Sequence, residues 1–358
     1  MKGLYCYFGL IRPHDIDSPG HFLYQLGLLD SIKDSFSIDN FDFYSYYPNS
    51  VIELASIECF PDCEHGKIFT KYYDKLISTE VHQFSDTLEN IKNVKYERLF
   101  LKARFRNLST LHKKWKDALE FEVIIETAVA AGYQANQIII LDTDLSLPDS
   151  FYLKYGGKVT VIVPSIDIPG ISSNFLFECC DINKGAISNQ INSVFYGNID
   201  TSNYKIGNSK NSILLSAIET MINESNHSTI ISKPSDFNSC DFQTSVQHID
   251  RRDRVEIFKL LASSNVMLNV TKEKYSACQF IPARVFEALI FGMIPVSYNF
   301  EFLCPAFSFN SIDDLTEIYK YLQDCDSTGL GQAYEYFIKS YADYVLSIPQ
   351  LVIEPVAN

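Results

Sequence analysis

The feature that most constrains this chain is a repeated alternation of short apolar runs with longer amphipathic stretches. Runs such as Ile138-Ile139-Ile140-Leu141 are too short for core helices and read as strands of a parallel sheet whose faces helices cover. In the first half the strand candidates are Leu4 to Leu10, Phe41 to Tyr46, Arg98 to Ala103, Gln137 to Leu141 and Lys158 to Val163. His21 to Lys33 reads as a helix, with Phe22, Leu23, Leu26 and Leu29 near one face. A second helix, Asp117 to Ala131, stops at Gly132, a residue suited to a helix C-terminus.

The pattern then restarts. Asn192 to Tyr196 reads as a strand, Gly197 to Asn208 as a loop rich in Gly, Asn and Ser, and Ser209 to Ile222 as a helix. Val255 to Ser264 (helix), Val266 to Val270 (strand), a helix opening near Arg284 and ending at Gly292, and Ile294 to Ser297 (strand) follow. The last amphipathic stretch, Gly331 to Leu346, carries Tyr334, Phe337, Ile338, Tyr341 and Val345 at helical spacing, the mark of a packing face. At 358 residues the chain suits two α/β domains, joined in the weakly periodic segment between Pro164 and Gln190. The domains expected are 1–175, 176–330 and a returning C-terminal helix and tail over 331–358.

No stretch reaches the roughly 18 consecutive apolar residues of a membrane helix, which points to a cytoplasmic protein. The nine cysteines are odd in number and lie in apolar segments, so reduced thiols are expected rather than a disulfide framework. Cys59, Cys63 and His65 lack a second ligand pair at a useful spacing, so no metal site is expected.

A net charge of −14 opposes general nucleic-acid binding. Its distribution is uneven, however. Arg98, Lys102, Arg104, Arg106, Lys113, Lys114 and Lys116 fall within 98–116 with no Asp or Glu among them. The strip suits phosphate contact and equally suits a solvated helix face.

Three places carry candidate chemistry. Asp142 and Asp144 follow a strand directly, where open α/β sheets hold their ligands. The strand–loop–helix turn at Gly197 offers backbone N–H groups and a helix start to an anion, without either common nucleotide-loop signature. Arg284 and Glu287 lie three apart at a helix start and so share a face.

The segment Arg284-Val285-Phe286-Glu287-Ala288-Leu289 through Gly292, Pro295 and Val296 resembles the donor-binding segment of GT-B glycosyltransferases, which face two Rossmann-like domains across a cleft. A closer match, distant but ordered and running through most of the chain, is the resemblance to the DNA β-glucosyltransferases of T-even phages. The resemblance runs through Tyr96-Glu97-Arg98-Leu99-Phe100, Thr143-Asp144-Leu145-Ser146-Leu147-Pro148, Tyr196-Gly197-Asn198 and Phe280-Ile281 with Arg284 and Glu287.

It implies an inverting enzyme that moves a sugar from UDP-glucose or another UDP-sugar to the hydroxymethyl group of 5-hydroxymethylcytosine in phage DNA. Asp144 would be the catalytic base. His21, Gly197, Asn198, Lys205, Ile249, Tyr275, Arg284 and Glu287 would hold the donor, and Lys102, Arg104, Arg106, Lys113, Lys114 and Lys116 would face double-stranded DNA. Two departures stand out: Thr201 and Lys205 occupy the loop where the family has two arginines, and His21 stands for a glutamate. The N-terminal domain would take the acceptor and the C-terminal domain the nucleotide sugar. No metal is required, with Mg²⁺ acting at most as a stimulant through the free nucleotide. Two other readings remain, a GT-B enzyme acting on a surface glycan or small molecule, and a non-catalytic nucleotide-sugar-binding protein.

Overall fold

The computed structural model describes residues 1–7, 19–45, 64–76, 81–102, 116–143, 145, 147–164, 173–183, 190–197, 199, 209–240, 242, 246–250, 254–271 and 273–347. The first half contains strands β1 (Lys2–Tyr7), β2 (Asn40–Ser45), β3 (Val81–His82), β4 (Arg98–Lys102), β5 (Ile138–Leu141) and β6 (Thr160–Ile162). Its helices are α1 (Pro19–Ser35), α2 (Glu64–Leu76), α3 (Phe84–Asn93), α4 (Lys116–Ala130) and α5 (Asp149–Tyr155). All six strands pair in parallel in the order β3-β2-β1-β4-β5-β6.

Alternation along these strands divides the apolar residues between two faces. Phe100, Ile139 and Leu141 point to the face covered by α1, where Leu26, Leu28, Leu29 and Ile32 are buried. Leu99, Leu101, Ile138 and Ile140 point the other way, onto Phe121, Ile124 and Ile125 of α4 and Phe151 of α5. A fully buried side chain of this size contributes about 1.5–3 kcal/mol, so this two-sided burial sets the register more strongly than local propensity does.

The expected irregular segment between Pro164 and Gln190 instead contains α6 (Ser173–Asn183). Its Phe175, Leu176, Cys179 and Cys180 are buried between α1, α2 and the second half, a tertiary burial that weak periodicity did not reveal. Cys6, Cys179, Cys180 and Cys304 are buried free thiols, and burial raises the pKa of Cys6, Cys179 and Cys304.

The second half contains β7 (Asn192–Tyr196), β8 (His227–Ser232), β9 (Gln247–Asp250), β10 (Val266–Asn269), β11 (Ile294–Tyr298) and β12 (Ser308–Phe309). Around them lie α7 (Ser209–Glu224), α8 (Pro234–Asn238), α9 (Arg254–Ser263), α10 (Glu273–Ala277), α11 (Ala283–Ile290), α12 (Ile312–Asp324) and α13 (Ser327–Ser347). The sheet is again all parallel, in the order β12-β11-β10-β7-β8-β9. The α1 face of the first sheet and the core of the second form one continuous apolar cluster, and α1 packs against α6 and α11. No helix among the described residues is long and apolar enough to cross a membrane.

Candidate functional site

The site on the second sheet is built around α11. Pro282 precedes the helix in an extended conformation, and residues 285 to 290 are all buried. This burial fixes the helix axially and rotationally, which places Arg284 and Glu287 on a predetermined face. Arg284 lies over the ring of Phe195, with Cζ 5.8 Å from the centroid, and its guanidinium rests against Gly197 just beyond β7. A Cβ at position 197 would lie 2.7 Å from Arg284 Cζ, so only glycine permits this approach. The Gly197 N–H donates to Ile231 O at 2.9 Å, extending the β7–β8 ladder to the foot of the turn. Glu287, one helical turn on, is 0% exposed. A buried carboxylate next to a guanidinium-bearing turn is costly in an apolar helix and unneeded for packing alone.

The C-terminal helix anchors α11 from both sides. Tyr344 donates its hydroxyl hydrogen to Gln279 O at 2.6 Å, in the loop that leads into α11, where Gln279 has a φ of 53°. Tyr334 donates to Leu289 O at 2.6 Å, near the helix end. Asn183 of α6 donates to Ile290 O at 2.9 Å and to the Tyr334 hydroxyl at 3.2 Å. Gly292, at φ 76°, ends the helix against Asn183, where a Cβ would come within 2.9 Å of its side chain. The stripe read as a packing face therefore packs, and the hydroxyls of its Tyr334 and of the neighbouring Tyr344 also position the helix that carries Arg284 and Glu287. Sequence reasoning missed Asn183, which had no local signal.

On the first sheet the relevant turn follows β5. Asp142 is 3% exposed; its N–H donates to Ile162 O at 2.9 Å, and its Oδ2 accepts the Leu147 N–H at 3.3 Å. The carboxylate thus ties the turn back on itself, a structural role. Within the turn that Asp142 closes onto Leu147, Leu145 has a φ of 50°, a left-handed conformation that costs a side chain energy and needs such support. Tyr152 of α5 has its pKa raised, first by burial and then by the charges of Asp142 and Asp149.

Several expected site residues lie outside the described residues: Asp144, Asn198, Lys205, Arg104, Arg106, Lys113 and Lys114. His21 lies on α1 and Lys116 opens α4. Ile249 is buried in β9, and Tyr275 of α10 packs its ring on Phe280, centroids 4.8 Å apart. Lys102 is not on a surface strip. It closes β4 and is 5% exposed, because β1 and β5 flank it on both sides. Asn269, at the end of β10, is fully buried and donates to Ser297 Oγ at 3.1 Å, while its Oδ1 accepts no hydrogen bond.

Of the cysteine–histidine group, Cys59 and Cys63 lie outside the described residues. His65 packs on Phe69 and Phe291, and burial lowers its pKa. No group of three His, Cys, Asp or Glu side chains among the described residues is arranged to hold a metal ion.

No protein-family model and no curated protein sequence matches the chain. Among solved structures, a mutant of T4 phage BGT in complex with UDP-glucose aligns over 97% of this chain and 97% of its own, with a TM-score of 0.53 at 10% sequence identity. Trehalose-6-phosphate synthase OtsA aligns over 97% of this chain and 96% of its own, with a TM-score of 0.48 at 9% identity. The first of these similarities establishes the fold: two Rossmann-like parallel sheets in the GT-B arrangement, as the sequence resemblance implied.

Proposed function

We propose that this chain is a glycosyltransferase that uses a nucleotide sugar, and that its reaction is inverting transfer from a UDP-sugar to the hydroxymethyl group of 5-hydroxymethylcytosine in DNA. The observation that carries the reading is the Arg284 guanidinium laid on the Cβ-free turn at Gly197, with Glu287 buried one turn further along the same helix. A guanidinium fork laid on a Cβ-free strand end suits a diphosphate, and a carboxylate at that spacing suits the two hydroxyls of a ribose.

The acceptor oxygen attacks the anomeric carbon as the bond to the leaving diphosphate breaks, and Asp144 takes the hydroxyl proton. Arg284, Lys205 and the N–H groups after Gly197 stabilise the charge that grows on the diphosphate. The Asp142-tied turn would carry the base beyond the carboxyl end of β5. A base within duplex DNA must leave the stack to bring its substituent to the cleft. The residues Arg104, Arg106, Lys113, Lys114 and Lys116 would then grip the flanking phosphates. Neutralising Arg104 and Arg106 together should flatten the salt dependence of DNA binding.

The test is transfer from a panel of UDP-sugars to matched duplexes containing cytosine, 5-hydroxymethylcytosine or 5-hydroxymethyluracil, read as the masses of the digested nucleosides. A sugar increment on 5-hydroxymethylcytosine alone is the expected result and identifies the sugar class. Donor binding without an increment on any duplex moves the acceptor to a glycan or small molecule, which the net charge of −14 also suits. Absence of both transfer and donor hydrolysis, with UDP still bound, would leave a nucleotide-sugar-binding protein.

A further inference from the structure

The helix that carries Arg284 and Glu287 spans only Ala283–Ile290, so whatever fixes its far end also fixes them. Tyr334 and Asn183 hold that end through the carbonyls of Leu289 and Ile290. A third contact there comes from the first half of the chain. His65, in the first turn of α2, lays its ring on Phe291, centroids 5.6 Å apart, and on Phe69 of its own helix at 6.2 Å. Phe291 ends α11, and its N–H donates to Glu287 O at 3.2 Å, so the imidazole is seated one helical turn from the buried carboxylate.

This seat suits a neutral imidazole and opposes a cation. Phe258 of α9 packs on both Phe69 and Phe291, which makes the surroundings apolar. His65 Nε2 is buried and has no hydrogen-bond partner. In a neutral ring that nitrogen can keep a bare lone pair, whereas protonation turns it into a buried N–H with no acceptor. Burial lowers the pKa of His65 and outweighs the Asn183 side chain, the Ile290 carbonyl and the Glu64 charge, which favour the cation. The other titratable groups of the elements around the joint are Asp30 of α1, Cys179 and Cys180 of α6, Glu287 of α11 and Tyr334 of α13, all buried. Burial raises the pKa of Cys179 and Tyr334, so both stay uncharged, and Glu256 and Lys259 of α9 are exposed.

We propose that His65 is a positioning residue for the donor site: its neutral ring, supplied by the first half, holds the end of α11 so that Arg284 and Glu287 stay in place, and its protonation releases that end. The inference deepens the donor reading above and rests on it for the ligand whose affinity reports the release. A donor that binds only the seated form loses apparent affinity in proportion to the fraction released. Because the folded pKa is the lower one, the contribution of the seated ring is complete above the unfolded histidine value, about 6.5, and is lost as pH falls from there toward the folded value.

The test is calorimetric titration of UDP into the wild-type chain, H65Q and H65F at about pH 7.5 and about pH 5.5, with denaturant unfolding at each pH. Neither variant titrates at this position; glutamine keeps a polar group and phenylalanine keeps the ring. Protonation of the UDP phosphate is common to all three chains and cancels when they are compared. Between the two pH values the UDP affinity of the wild type should fall about threefold or more beyond any fall in the variants, and its stability should fall further than theirs. Equal pH dependence of UDP affinity in the three chains overturns the positioning role and leaves the donor reading intact, and so does a difference confined to stability. A wild-type chain that binds UDP at neither pH overturns the donor reading and the positioning role with it. If one variant does not fold, the other carries the same expectations.

Discussion

Where strand order reverses in the second sheet, between β7 and β10, a basic side chain comes from a helix, and where it reverses in the first, between β1 and β4, one belongs to the strand itself. Arg284 reaches Gly197 only because α11 is buried along most of its length and tied by Tyr334, Tyr344 and Asn183. Lys102 needs no such ties, since pairing with β1 and β5 fixes its Cα. The helix-borne site is thus held by a network that spans α6, α11 and α13. Lys102 is held by the sheet, and the turn beyond the neighbouring strand β5 is supported by Asp142. In the function proposed above, the group held by buried helices would meet the constant part of the donor, and the turn of the first sheet could change its loops while its sheet stays intact.

The contrast can be broken at either side. The largest effect is expected on the turn of the first sheet: Asp144→Asn should lower transfer by about 10²–10⁴ while UDP affinity stays near wild type, measured by single-turnover transfer and calorimetry. Ordinary turnover by that variant would remove Asp144 as the base. On the second sheet, Gly197→Ala forces a methyl group into the Arg284 guanidinium and should weaken UDP binding by about ten- to a hundredfold with little change in melting temperature. Unaltered UDP affinity in G197A would show that the guanidinium is not held there for a phosphate.

A third variant separates the site from the stability of the sheet that bears it. At the amino end of the first sheet, Asp42 is 4% exposed and accepts hydrogen bonds from Tyr96 Oη at 2.7 Å and Lys2 Nζ at 2.7 Å. Asp42→Ala should cost about 2–3 kcal/mol in denaturant unfolding and leave UDP affinity unchanged. Burial raises the Asp42 pKa, but the hydrogen bonds from Lys2, Tyr96 and His82 and the Lys2 charge outweigh it, so the folded value lies below the ordinary carboxylate value. Its stabilisation is therefore complete above the unfolded value, about 3.9, and is lost as pH falls through the lower folded value. The stability gap between wild type and Asp42→Asn should close over that acid window; a gap that widens there would contradict the ion-paired carboxylate.

The smallest effect is expected at Tyr334→Phe, which removes the hydrogen bond to Leu289 O and should cost about 1 kcal/mol of stability. If helix anchoring matters to the donor site, UDP affinity should fall with it by a few-fold, and an affinity that does not move would reduce α13 to simple packing.

Much of the fold was legible where apolar content and turn chemistry agreed. The strand at Asn192–Tyr196 has the bounds read from its sequence, and the helices ending before Gly132 and Gly292 stop at glycines with φ of 88° and 76°. Gln137, expected in a strand, instead closes a short 3-10 turn whose cap Gln134 it bonds in return. The strand His227–Ser232 escaped notice because its only strongly apolar residues, Ile230 and Ile231, are flanked by Ser228, Thr229 and Ser232, yet pairing between β7 and β9 buries five of its six residues. The helix α6 escaped for a similar reason, its burial being supplied by α1, α2 and α11 rather than by a clean apolar face of its own.

For the site, the sequence by itself determined which groups are present and which share an element: Arg284 and Glu287 on one helix, Asp142 and Asp144 on one turn, Gly197 at a strand end. Spacing within a helix or strand fixes relative direction, and that much is local geometry. That Asp142 ties its turn, that Gly197 receives a guanidinium and that Lys102 is buried were decided only by tertiary structure. Lys102 shows why: its neighbours in sequence are basic and polar on one side, but its neighbours in space are the ends of two other strands, and burial is a property of the assembled sheet rather than of the segment.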